Sequence, residues 1–141
     1  MNTNDLITSI VSSLSALNLN LSGNPVPISV RKLPLKQETI DPPTQVIVCP
    51  GDTPEEFRRA SYNNHFFYSP QVQVVIITPN DAQEYTNLNT YLQWREQIAG
   101  ALVAISGPLA LSVEYDVPLD REQVADNYDY ISLNARATLF Q

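Results

Sequence analysis

The stretch PQVQVVIITP, Pro70–Pro79, is almost continuously apolar and is bracketed by two prolines. A strand with one face in water alternates apolar and polar residues, whereas a run such as Val74–Ile77 suits a strand buried on both faces. TQVIVCP, Thr44–Pro50, has the same character. Two such runs place a pair of strands in the middle of a sheet. Pro50-Gly51 ends the first and Pro79-Asn80 the second.

Outward from this pair the patterns change. LALSVEYDV alternates cleanly, with Leu109, Leu111, Val113, Tyr115 and Val117 set against Ala110, Ser112, Glu114 and Asp116. The last segment repeats the alternation, with Ile131, Leu133, Ala135, Ala137 and Leu139 against Ser132, Asn134, Arg136 and Thr138. PVPISVRKL places Val26, Ile28 and Val30 on one side of a half-buried strand. Two segments show helical periodicity instead. Leu6, Ile7, Ile10, Val11, Leu14 and Leu17 recur at steps of three and four, with Thr3 or Asn4 as cap and Gly23 beyond the end. From Asn80-Asp81 to Gly107-Pro108, Tyr85, Leu88, Leu92, Ile98, Ala99 and Leu102 form a stripe that Tyr91, Trp94 and Ala101 widen.

The order is therefore α-β-β-β-α-β-β in a single domain, residues 1–141. It predicts an α+β fold: a mixed, mostly antiparallel sheet of about five strands with two main helices packed on one face. LPLKQETIDPP (Leu33–Pro43) is a polar connection stiffened by Pro42-Pro43. Gly51–Ser69 is a longer excursion, in which Thr53, Pro54 and Glu56 resemble a capping box and predict a short helical turn over 54–60.

Composition narrows the function classes. The chain is 43% apolar, enough for a packed core, and carries a formal net charge of −7. That charge argues against nucleic-acid binding through phosphate neutralisation, and the basic residues Arg31-Lys32, Lys36 and Arg58-Arg59 are scattered. An acidic surface suits a soluble protein, or one lining a passage through which DNA slides without sticking. A single cysteine, Cys49, excludes an internal disulfide and a cysteine-rich zinc site. No run approaches the roughly 18 apolar residues of a membrane span. The first residues lack a basic region and include Asp5, unlike a signal peptide.

Candidate chemistry is sparse. Cys49, His65 and Asp52 could form a nucleophile with its base, but a cysteine at the end of an apolar strand is more often a small buried hydrophobe. Glu114 and Asp116 share a strand face, with Asp120 following, and could hold a divalent cation; a solvated acidic face is the commoner outcome. The four glycines are scattered and form no phosphate loop. Convergent polar residues of several kinds are missing, so the reading is a non-enzymatic interaction protein with no cofactor or metal.

VRKLP (Val30–Pro34), ETIDPPTQVIVCPGD (Glu38–Asp52) and VQVVIITPND (Val72–Asp81) are followed by NLNTYLQWREQIAGAL (Asn87–Leu102) and LSVEYDVPLDREQVADNYDYISLNARATLF (Leu111–Phe140). In this order, behind an N-terminal helix, these blocks resemble the tail terminator, or tail completion, proteins of tailed bacteriophages. The resemblance spans most of the chain. It implies a structural virion protein at the tail or neck, assembled in the host cytoplasm. Such a protein forms a homo-oligomeric ring, usually a hexamer, that caps the tail tube, ends its polymerisation and meets the head connector or stopper protein. DNA would only pass through the lumen. No catalytic residue, cofactor or membrane is implied. A neck or stopper adaptor nearer the head is the second reading, and a small metal-dependent hydrolase using Glu114, Asp116 and Asp120 the third.

Within a ring, two segments are candidate contacts. Arg58 and Arg59, with Phe66, Phe67 and Tyr68, put cations and aromatics into an acidic chain, a combination enriched where partners meet. The alternative is a solvated turn followed by a strand whose aromatics are core. Tyr128 and Tyr130 open the last strand and anchor its return to the sheet, either as core or as a subunit contact, with a wet hydroxyl. Asp126 and Asp129 would be turn formers beside them.

Overall fold

In a computed structural model, residues 3–31, 39–51, 55–59, 66–79, 87–105, 110–115 and 128–140 are described. Asp52, Thr53, His65, Asp81, Tyr85, Gly107-Pro108, Asp116, Asp120 and Asp126, all named above, lie outside them.

Helix α1 (Thr3–Ser15) forms where the three-and-four spacing places it. Leu6, Ile10 and Leu14 are fully buried at four-residue steps, each contributing about 1.5–3 kcal/mol by leaving water. Thr3 and Asn4 stand in its first turn rather than before it. Its end is set by Asn18, not Gly23: Asn18 takes a φ of 51°, the left-handed conformation that stops a helix and that asparagine tolerates. Gly23 belongs to the next feature. Strands β1 (Asn20–Leu21) and β2 (Asn24–Pro25) form a two-residue hairpin whose central residues, Ser22 and Gly23, have φ of 52° and 82°. Positive φ at both positions matches the right-handed twist of the strands it joins.

The main sheet has five strands in the order β3-β4-β7-β9-β8: β3 (Ile28–Val30), β4 (Gln45–Pro50), β7 (Gln71–Pro79), β9 (Tyr128–Phe140) and β8 (Ala110–Tyr115). Only β3 and β4 are parallel. Two further short strands, β5 (Glu56–Arg59) and β6 (Phe66–Ser69), extend it beyond one end. The expected helical turn over 54–60 is thus replaced, at 56–59, by a strand. Local capping chemistry loses there to backbone pairing with β6.

Both helices cover one face, as the periodicity requires. Helix α2 (Leu88–Val103) buries Trp94, Ile98 and Leu102 against it, so Trp94 sits at the centre of the stripe rather than at its border. The helix stops at Val103, short of Gly107-Pro108. From the sheet, Val46, Val48, Val72, Val74, Ile76, Ile131, Leu133, Ala135 and Ala137 meet the helices. Val30 lies on this face too, but at the end of an edge strand it is 57% exposed.

The opposite face explains the unbroken apolar runs. Ile47, Cys49, Val75 and Ile77 alternate with the helix-facing residues and form a second core with Ile40, Tyr128 and Tyr130. A strap of residues, 39–44, carries Ile40. Its backbone N–H donates to the Tyr128 hydroxyl at 2.8 Å, and the Gln45 side chain donates to the Pro42 carbonyl at 2.9 Å. Tyr128 and Tyr130 are about 6% and 5% exposed, so they belong to the chain's own interior rather than to an outer contact, and the Tyr128 hydroxyl is dry. Asp129 stands in the ladder opposite Thr78 instead of in a turn.

Candidate functional site

The feature that reaches beyond the two cores is an arm built by β5 and β6, rooted on the first core by the half-buried Tyr68. Strands β6 and β7 keep one register along β9, from Phe67 opposite Phe140 through Gln71 opposite Arg136 to Pro79 opposite Tyr128. They act as one long strand interrupted at Pro70, which has no N–H to give; its carbonyl accepts from the Ala137 N–H at 3.0 Å. On the other side, β4 and β5 run back along β7 and β6. Between the pairs Pro50–Val72 and Glu56–Ser69 the outer strand advances six residues and the inner one three. The outer strand thus carries three more residues than the inner one over this interval, and the pairing changes register between β4 and β5.

Two residues make the joint. Gly51 donates its N–H to the Gln71 carbonyl at 3.0 Å, and a Cβ at position 51 would stand 2.5 Å from the Gln71 Cβ. Only glycine lets the two backbones come so near. Just before β5, the Glu55 carboxylate accepts from the Gln71 N–H at 2.7 Å and from the Tyr68 hydroxyl at 2.8 Å. It ties the start of β5 to the joint between β6 and β7. Glu55 was not singled out in the sequence, since its neighbour Glu56 fits the capping pattern and nothing local marks a carboxylate as a cross-strand clamp.

The arm's side chains sort by face. Phe57 and Tyr68 pair across β5 and β6 on the helix side, edge to face, with ring centroids 5.7 Å apart. Phe57 is 67% exposed. Arg58 lies exposed on the other face, its guanidinium 4.6 Å from the centroid of the half-buried Phe67 ring, a cation–π contact. Arg59 and Phe66 occupy the paired positions nearest the tip. The structure thus gathers Arg58, Arg59, Phe66, Phe67 and Tyr68 on one projection and puts Tyr128 and Tyr130 elsewhere, in the second core.

Of the remaining candidates, Cys49 and Glu114 lie among the described residues, on β4 and β8. Cys49 is buried on the strap side, its Sγ 3.7 Å from Gln73 Oε1. Glu114 is exposed on β8, opposite Asn134. With Gln71, Ser112 and Arg136 these two line an open polar depression of about 290 Å³ on the strap side of the sheet, near the root of the arm. Among the described residues, no group of three or more His, Cys, Asp or Glu side chains is placed to hold a metal ion. No helix among them is long and apolar enough to cross a membrane.

No family model matches this chain, and no curated protein does. The fold does have counterparts: 17 solved chains match it. One of them, which carries no functional name, superposes with a TM-score of 0.52 over 97% of this chain and 96% of its own, at 15% identity. The likeness is one of fold. At that identity it extends to the course of the backbone and not to any activity.

Proposed function

We propose that this chain is a structural virion protein of a tailed bacteriophage. It forms a ring, sixfold by the resemblance, that caps the tail tube, ends its polymerisation and offers a surface to the head connector. It works by contact, without catalysis, metal or cofactor, and DNA passes its lumen unbound. The observation that carries this reading is the arm. An exposed phenylalanine and a stacked, exposed arginine project from an acidic body beyond both of its cores. Aromatic and arginine side chains are enriched at the centres of protein contacts. The resemblance in sequence blocks supports the reading.

The test is assembly. Native mass spectrometry of the purified protein across a salt series, with electron microscopy beside its tube protein, is expected to return closed rings. Added salt favours them, because at ~0.15 M ionic strength the Debye length is about 8 Å and like charges on distant faces are screened. Replacing Arg58 and Arg59 together by alanine is expected to weaken ring or tube association while costing the subunit little more than the exposed cation–π contact to Phe67, about 0.5–1 kcal/mol. A protein that remains monomeric at high concentration and high salt, and beside the tube protein, refutes the proposal. Rings seated at the head rather than on the tube assign it to the neck instead.

A further inference from the structure

We infer that copies of this chain join edge to edge, β5 of one copy pairing antiparallel with β8 of the next, Arg58 facing Glu114 and Phe57 facing Tyr115. The inference rests on the ring reading and assigns its contact. Strands β5 and β8 stand at opposite margins of the sheet, and among the described residues no strand pairs with the outer side of either. An open margin presents a row of N–H and C=O groups that another strand can complete.

Direction, face and charge agree with this pairing. Strand β5 runs antiparallel to β6, and β6 and β7 both run antiparallel to β9. Strand β8 is also antiparallel to β9. It follows that β5 and β8 point in opposite directions within one copy. A second copy set beside the first in the same orientation therefore meets it as an antiparallel neighbour. In that arrangement the helix-covered faces coincide. Phe57 is on that face with Tyr68, and Tyr115 is on it as well, under the Arg95 guanidinium of α2 at 4.1 Å from the ring centroid. On the opposite face stand Arg58, over Phe67, and Glu114, beside Asn134 and Arg136. Aromatic meets aromatic on one side of the joined sheet, and cation meets anion on the other.

The exposure pattern points the same way. Phe57 and Tyr115 are 67% and 47% exposed and are, among the described residues, the exposed large apolar side chains of these two margins. A cross-strand aromatic pair and an opposite-charge pair would cover them and offset part of the repulsion between chains of net charge −7. Because the two margins differ, the contact is head-to-tail. Such a contact propagates, and it closes when the rotation per copy divides a full turn.

The experiment uses the full chain with Cys49→Ala as background. Arg58→Cys and Glu114→Cys together are expected to yield, on mild oxidation, a ladder of covalent multimers ending at the ring, with neither single variant doing so. Opposed residues of an antiparallel pair lie within the span a disulfide bridges. In parallel, Arg58→Glu and Glu114→Arg should each weaken association by about tenfold, and the double reversal should recover most of that loss. Rings that form without cross-linking and ignore both reversals overturn this pairing and leave the ring reading standing. So do rings that cross-link through Ser29→Cys on β3 in place of position 58. A chain that never associates overturns both.

Discussion

Replacing Tyr128 by phenylalanine keeps the ring and removes one oxygen, which isolates what holds the strap on the second face of the sheet. In the wild-type chain the Ile40 N–H donates to that oxygen at 2.8 Å, and the hydroxyl lies 3.5 Å from the Ile40 carbonyl. Both residues are buried, at 4% and 6% exposure, so bulk water does not replace the lost acceptor. An amide left unsatisfied in such a place costs about 1–3 kcal/mol. For a domain of this size each kilocalorie shifts the melting temperature by roughly 3–5 °C, so a fall of about 3–15 °C is expected. Urea titration followed by the fluorescence of Trp94, the single tryptophan, measures the same loss as a lower midpoint with unchanged slope. Tyr115→Phe is the control: that side chain is 47% exposed, and its change is expected to stay within about 0.5 kcal/mol. If Tyr128→Phe also stays within that margin, the hydroxyl does not hold the strap, and the second core owes its cover to apolar packing alone.

The joint of the arm yields two more expectations. Gly51→Ala brings a Cβ to 2.5 Å from the Gln71 Cβ and should cost about 1–3 kcal/mol in denaturant unfolding. Adding Gln71→Gly, but not Gln71→Ala, should relieve it, because the clash is with the β-carbon. Glu55→Ala removes the acceptor shared by Gln71 and Tyr68 and should cost about 1–3 kcal/mol for its two hydrogen bonds. Hydrogen exchange should then quicken at Gln71 and in β5 and β6 while α1 and β9 keep their protection; uniform exchange across the chain would count against a local clamp. Cys49→Ala and His65→Ala should leave ring assembly intact apart from a packing loss of about 1 kcal/mol at position 49, and loss of assembly with the fold preserved would contradict a purely structural role.

What the residues determined by themselves is what their periodicity carries. Leu6, Ile10 and Leu14 in α1, the double-sided run of β7 and the alternation of β9 are buried where their spacing puts them, because a helix or strand repeats its geometry locally. The α+β order, the five main strands and the shared helix face follow from those patterns. Tertiary structure decided the rest through contacts between distant residues. Glu56–Arg59 follows a capping signal for a helix and has no alternation, yet it is a strand because its backbone completes the ladder on Phe66–Ser69. The even-numbered face of β9 runs from Tyr128 and Tyr130 to Asn134 and Arg136, and a single strand does not reveal which of its neighbours will be covered. The strap covers only the first part, so the tyrosines become core while the later residues line an open polar depression. Glu55 becomes a clamp for the same reason: the amide it satisfies is sixteen residues away in sequence and is brought to it only when the arm folds back.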